Sequence, residues 1–124
     1  MSERIAPGVR AYLAGEIAAA GGREVSFVAE VDRDGVVRAA RVVARGTVDM
    51  VLALPGTASR GEMLLHNHPS GLLSPSPADL NVAARLHDGG VGFGIVDNGA
   101  TELYVVVEVP RDREIGRASC RERV

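Results

Sequence analysis

The side chains most suited to chemistry lie between residues 66 and 79, in the run H-N-H-P-S-G-L-L-S-P-S-P-A-D. His66 and His68 are two residues apart at the end of the apolar stretch M-L-L-H, so an extended backbone would point both imidazoles to one side. The loop that follows is long enough to fold Asp79 back onto the same point. Two imidazole nitrogens and one carboxylate oxygen would make a three-ligand Zn²⁺ site with a fourth position for water, which is typical of catalytic zinc.

The same segment has a plainer interpretation that the sequence leaves open. An H-x-H pair is common by chance, and S-P-A-D is by itself a good helix start, with Ser76 as N-cap and Pro77 at the first helical position. Asp79 would then be favoured by the helix dipole in the first turn. The two roles are compatible, because a cap also fixes the direction of the Asp79 carboxylate. Asn67 would point to the other side of the strand, and we interpret it as structural.

Apolar periodicity and turn residues indicate the elements that must position these groups. The spacing predicts two helices, at residues 7–20 and 77–87. Strands are predicted at residues 24–32, 36–45, 47–54, 62–66, 92–97 and 102–109. The turn R-D-G joins the first two strands as a hairpin. The sum is an α/β or α+β domain, in which a single mixed β-sheet is flanked by an N-terminal helix and a helix after the histidine loop.

Composition limits the class of protein. The chain has 124 residues, of which 46% are hydrophobic and 24% charged, as in one soluble globular domain. There is no secretory signal and no apolar run long enough for a membrane span, so we expect a cytoplasmic protein without membrane association. The formal net charge of −2 provides no basic field for nucleic acid. The single cysteine, Cys120, excludes a disulfide framework and a cysteine-cluster zinc site.

The last eleven residues need a separate interpretation. Residues 114–124 read E-I-G-R-A-S-C-R-E-R-V, which is polar and Arg-rich without apolar periodicity. The same peptide results from translating a common sequencing-adapter sequence, so we interpret it as a non-native tail; the alternative is a genuine basic tail. Residues 1–113 then form one domain with 11 basic and 14 acidic groups, a net charge of −3. On this interpretation the natural gene continues beyond Arg113, and a downstream domain is missing.

The motif resembles a known family. H-x-H-P, six further residues and S-x-x-D resemble the signature of the JAMM (MPN) zinc metalloproteases, and H-N-H-P-S-G is similar to their RadC-like branch. The resemblance extends over most of residues 24–109 and implies the JAMM/MPN, cytidine-deaminase-like architecture. It departs from the family in one place. RadC-like chains usually carry a helix before the H-N-H-P strand, where this chain has only P-G-T-A-S-R-G.

The resemblance also implies roles for individual residues. His66, His68 and Asp79 would be the zinc ligands, and Ser76 would supply a hydroxyl beside the attacking water. The family places a glutamate early in the first core strand as general base, and Glu24 is the residue that matches. The implied reaction is hydrolysis of a peptide or isopeptide bond in a protein or peptide substrate. The base would take the water proton and return it to the leaving amine.

A second function class stays open. RadC-like chains are associated by name with DNA repair, so the domain would alternatively be an accessory or binding module of a larger DNA-processing protein. Contact with nucleic acid would then come only through the missing downstream domain. A complete set of glutamate, histidine, aspartate and serine favours the hydrolase.

The remaining titratable groups are weaker candidates. Glu30 lies six residues along the strand from Glu24, roughly 20 Å in an extended chain, so both cannot reach one metal. Glu62 is a third choice for the base. His87 falls in the last turn of a predicted helix, where a surface role is expected. We also expect Arg45 and Arg60 to be solvated surface residues.

Overall fold

The computed structural model describes residues 4–46 and 57–110. The described elements are α1 Pro7–Ala19, β1 Val25–Val31, β2 Val37–Arg45, β3 Glu62–Asn67, α2 Pro77–Asp88, β4 Gly92–Val96 and β5 Leu103–Val107. The two predicted helices and the five predicted strands within these ranges are confirmed to within two residues at each end. The strand predicted at 47–54 and the tail at 114–124 lie outside the described residues. Neither described helix is long and apolar enough to cross a membrane.

The strands form one five-stranded sheet in the order β2-β1-β3-β4-β5. β1 is antiparallel to both β2 and β3, whereas β3 and β4 run parallel on either side of the α2 crossover. β5 is antiparallel to β4 and completes the sheet. The predicted mixed sheet is therefore confirmed. Because β1 pairs with β3, the start of β1 and the end of β3 meet at the same edge of the sheet, with Ser26 opposite His66.

The helices cover opposite faces of the sheet. Leu13 and Ile17 of α1 belong to a buried cluster with the β1 residue Phe27, while Val82 of α2 packs in a second cluster with Val28. Consecutive side chains of a strand point to opposite faces, so β1 is covered on both sides. This burial explains a difference from the alternating pattern of the sequence, since all residues from Val25 to Ala29 are buried. The core continues through the centre of the molecule rather than along one face.

The connection from α1 into β1 brings Glu24 to the edge of the sheet. Gly21 and Gly22 follow α1 with positive φ angles of 72° and 80°, a conformation that glycine adopts without steric cost. The Gly22 N–H donates to the carbonyl of Ile17, 3.1 Å away, and satisfies a carbonyl at the helix end. The chain then turns back, so that Glu24 stands directly before the first residue of β1.

Candidate metal centre

The two histidines lie at the carboxyl end of the central strand β3. His66 is in the strand and is only 2% exposed, with its ring centroid 5.2 Å from that of Phe93 on the neighbouring strand β4. His68 follows the strand and is partly exposed. The two imidazole centroids are 5.0 Å apart and the ring planes are inclined by 80°. Both rings therefore lie on one side of the strand, as the two-residue spacing predicts.

The start of α2 brings Asp79 to the histidines. The Asp79 N–H donates to Ser76 Oγ at 3.1 Å, and the Ser76 N–H donates to Asp79 Oδ2 at 2.8 Å. This reciprocal pair is a capping box, and Pro77 occupies the first helical position, so the predicted helix start is confirmed. The cap fixes the direction of a carboxylate that is 4% exposed.

The three side chains converge on one point. Asp79 Oδ1 lies 3.1 Å from His66 Nε2, and Asp79 Oδ2 lies 2.8 Å from His68 Nε2. One donor atom from each residue can be chosen so that all three lie within 4.8 Å of one another. His66 Nε2 is buried and has no hydrogen-bond partner among the described residues, because Asp79 Oδ1 stands at ion-pair distance without hydrogen-bond geometry. A metal ion would satisfy this nitrogen, so the donor set fits one.

The other ring nitrogens of the two histidines are held by acceptors. His66 Nδ1 lies 2.7 Å from Glu24 Oε2, and His68 Nδ1 lies 2.9 Å from the carbonyl oxygen of Leu72. With Nδ1–H donating in both rings, each Nε2 presents a lone pair toward Asp79. Metal-binding histidines commonly have this arrangement, in which a carboxylate or carbonyl fixes the tautomer and the ring orientation.

The loop after β3 explains why Leu72 reaches His68. The residues P-S-G form a tight turn in which the Gly71 N–H donates to the His68 carbonyl at 2.8 Å. Gly71 has a φ of 82°, which side chains with a Cβ rarely adopt. The Leu72 N–H donates to Ser70 Oγ at 3.3 Å and completes the reversal. The turn therefore places a backbone carbonyl of the loop against the ring that the loop follows.

The charge of the site favours a cation. Burial alone would raise the pKa of Asp79, but the hydrogen bond from the Ser76 N–H and the neighbouring imidazoles outweigh it. The pKa of Asp79 is therefore below its ordinary value of 3.8, and the carboxylate is ionised at neutral pH. Glu24 adds a second carboxylate at the edge of the same cluster, with 14% of its side chain exposed.

The weaker candidates lie elsewhere. Glu30 is exposed and pairs with Glu62 across β1 and β3, at the end of the strands away from the histidines. His87 is exposed in the last turn of α2, and Arg45 is exposed and forms an ion pair with α1. Arg60 is exposed beside Gly90, on the other side of α2. None of these five is among the described residues that converge on the centre.

The contribution of the turn between β4 and β5 could not be read from the sequence. Asn98 in this turn accepts a hydrogen bond from the Asn67 amide at 2.9 Å and thereby reaches the segment between the two histidines. A polar residue in the buried run M-L-L-H-N was the only signal for Asn67, since such a residue needs hydrogen-bond partners. Nothing in the run D-N-G-A pointed to the partner that Asn67 finds there.

Comparison with known proteins agrees with this geometry. The profile of the RadC-like JAB domain matches residues 6–96, a range that contains Glu24, both histidines and Asp79. The chain belongs to this family. A UPF0758 protein of Vibrio vulnificus is 32% identical over 92 residues, covering 68% of this chain and 40% of the relative. A second, from Ruegeria pomeroyi, is 34% identical over 73 residues, or 52% of this chain and 33% of the relative.

A shorter match is more similar. A UPF0758 protein of Desulfitobacterium hafniense is 54% identical over 37 residues, which cover 30% of this chain and 16% of the relative. The matches thus span well under half the length of the relatives. The family assignment confirms the resemblance to the RadC-like branch of the JAMM/MPN fold, and the sheet with its two helices agrees with the expected α+β architecture.

Proposed function

We propose that this RadC-like JAB domain is a zinc-dependent hydrolase that cleaves a peptide or isopeptide bond. The observation that carries the proposal is the buried His66 Nε2, which has no hydrogen-bond partner among the described residues and faces Asp79 and His68. A buried polar atom in such a state costs free energy unless a ligand satisfies it. Two imidazole nitrogens and one carboxylate oxygen suit Zn²⁺ and leave a position for water.

Three residues would bind the ion, and two more would carry the proton transfers. When bound, Zn²⁺ would lower the pKa of a water molecule and polarise the carbonyl of the scissile amide. The Glu24 carboxylate would accept the water proton and pass it to the leaving nitrogen. Ser76 Oγ accepts from the Asp79 N–H, so its own hydroxyl proton stays available to donate to the developing oxyanion. The expected substrate is therefore a protein or peptide.

A second candidate is a metal-binding module without hydrolytic activity, within a larger DNA-processing protein. The contact between Glu24 and His66 supports this alternative as much as the hydrolase, because a module that only binds metal would also use a carboxylate to orient its histidine. The presence of Glu24 therefore does not separate the two functions, and activity must be measured. The cytoplasmic location and the downstream nucleic-acid-binding domain stay predictions.

Metal analysis tests the shared first step of both functions. The purified wild-type protein should bind one Zn²⁺ per chain, and Asp79→Ala should lose most of that affinity. Asp79→Asn removes the charged ligand but keeps an acceptor for the Ser76 N–H, so it separates loss of metal from loss of the helix cap. Asp88→Ala is the matched control, because Asp88 is an exposed residue at the other end of α2. A wild type without zinc, or Asp79 variants as zinc-loaded as the control, would contradict the proposed site.

A further inference from the structure

Asn67 contacts the backbone on both sides of Glu24. Its side chain is fully buried and lies between the two histidines of the site in sequence, on the opposite face of the strand. Asn67 Oδ1 accepts from the Val25 N–H at 2.7 Å, and Nδ2 donates to the Arg23 carbonyl at 3.2 Å. One side-chain amide therefore holds the peptide groups before and after Glu24, at the point where the regular pairing of β1 begins.

A second asparagine supports the first from the turn between β4 and β5. Asn98 Oδ1 accepts from Asn67 Nδ2 at 2.9 Å, while Asn98 Nδ2 donates to the Pro69 carbonyl at 3.3 Å. Pro69 directly follows His68. The two amides therefore connect the backbone next to Glu24 with the backbone next to a metal-ligand candidate, although these segments come from different ends of the domain.

The turn that carries Asn98 is itself held firmly. The Asp97 carboxylate accepts from the Thr101 N–H at 2.7 Å, from the Thr101 hydroxyl at 2.6 Å and from the Glu102 N–H at 2.9 Å. Burial alone would raise the pKa of Asp97, but these hydrogen bonds outweigh it and lower the pKa. Ala100 is buried with a φ of 55°, a strained conformation that persists only where the surroundings determine it. The turn is thus a rigid support for Asn98.

We propose that Asn67 and Asn98 form an amide clamp that positions Glu24 against His66 and so sets the metal-binding strength of the site. The inference rests on the metal site of the proposed function. Glu24 precedes β1, so its backbone position depends on contacts outside the strand pairing that begins at Val25. The clamp supplies these contacts on the side of β3, while the Gly46 N–H donates to the Glu24 carbonyl at 2.7 Å on the side of β2.

The chemistry of an amide suits this task. Asn67 uses one acceptor and both of its N–H donors, and each goes to a different segment of the chain. An aspartate would lose both donors and would place a negative charge against the Arg23 carbonyl. A buried amide with a purely structural role would add stability to the fold without changing how tightly the site holds a metal. The two roles can therefore be separated by measurement.

The test uses Asn98→Ala, which removes the support of the clamp at a partly exposed position. Asn81→Ala is the matched control, because Asn81 is exposed on α2. Hydrogen exchange of the Val25 amide, without added metal, reports whether the clamp has loosened. The Zn²⁺ dissociation constant is then measured by chelator competition for wild type, Asn98→Ala, Glu24→Ala and the double variant.

We expect faster exchange at Val25 in Asn98→Ala, with exchange in the centre of β1 unchanged. Loss of a carboxylate that orients a metal-binding histidine typically costs about 10–100-fold in affinity, which is the loss expected for Glu24→Ala. Asn98→Ala should cost about threefold or more, and the double variant should lose less than the product of the two single losses. The control should match wild type in both measurements.

Three results would overturn the clamp. Zinc affinity in Asn98→Ala equal to wild type would show that the amides do not act on the site, even if the Val25 amide is released. Losses that multiply in the double variant would show that Asn98 does not act through Glu24. Unchanged Val25 exchange would exclude the route through Asn67. A wild type that binds no zinc would instead overturn the proposed function itself, and the clamp with it.

Discussion

Glu24 contacts a histidine that lies 42 positions further along the chain. Its carboxylate occupies the edge of the cluster rather than the point where the three ligand candidates meet. One oxygen, Oε2, lies 2.7 Å from His66 Nδ1, and a carboxylate has a second oxygen for another partner. Glu24 can therefore orient a ligand and exchange a proton with substrate water in the same position. The resemblance to the family indicated only the second of these roles.

Substitution of Glu24 separates the two roles. Glu24→Gln keeps an oxygen that can accept from His66 Nδ1–H but removes the base, so zinc should stay bound while hydrolysis falls about 10²- to 10⁴-fold. Glu24→Ala should lose metal affinity as well. Turnover of a substrate found by screening peptides and isopeptides, and metal content, are measured on the same samples. Glu30→Gln is the matched control, because Glu30 is exposed at the far end of β1. A fully active Glu24→Gln protein would end the hydrolase mechanism and favour the binding module.

At the scale of elements, the start of α2 combines a helix cap with a reactive group. Ser76 Oγ accepts the Asp79 N–H, and the same hydroxyl is proposed to assist hydrolysis. Ser76→Asn retains an N-cap acceptor and loses the hydroxyl, whereas Ser76→Thr retains both and Ser76→Ala loses both. We expect Ser76→Ala to lower the free energy of unfolding by about 1 kcal/mol, with little loss in the other two.

Hydrolysis by these variants decides the second role. Activity should fall in both Ser76→Ala and Ser76→Asn and should be kept in Ser76→Thr, with zinc content unchanged. Ser74→Ala serves as control because Ser74 is exposed in the preceding loop. If Ser76→Asn is as active as wild type at equal stability, Ser76 is a helix cap and nothing more.

The elements of this domain were predictable because their signals are local. Pro77 and Ser76 mark the start of α2, and periodicity marks its length, so the helix and its capping aspartate follow from about a dozen residues. The pairing of β1 with β3 depends on burial and hydrogen bonds between distant segments, which no short window of sequence contains. That pairing brings Glu24 to His66. For the same reason Asn98 could not be connected with Asn67 before the structure was known.

At the scale of the molecule, the site lies where several element ends meet at one edge of the sheet. The parallel strands β3 and β4 both end there, β1 begins there, and α2 starts above the end of β3. Crevices at the carboxyl ends of parallel strands are common places for binding sites in α/β sheets. The ligand candidates thus stand on the central strand and on a capped helix, while the turn between β4 and β5 supports them from the side.

The whole chain offers one further test, which concerns residues 114–124. We propose that this tail is not native, since it is polar, without apolar periodicity, and matches a translated adapter sequence. A segment of this kind has no apolar face to bury, and changes outside the packed core usually alter stability by less than about 0.5 kcal/mol. Deleting the tail after Arg113 should therefore shift the melting temperature by less than about 3 °C for a domain of this size. Truncation before β5 is the control that should abolish cooperative unfolding, because β5 pairs along β4. A drop of 10 °C or more, on the order of 1–2 kcal/mol, on removal of the tail would show that it belongs to the fold, and the domain would then have to extend beyond Arg113.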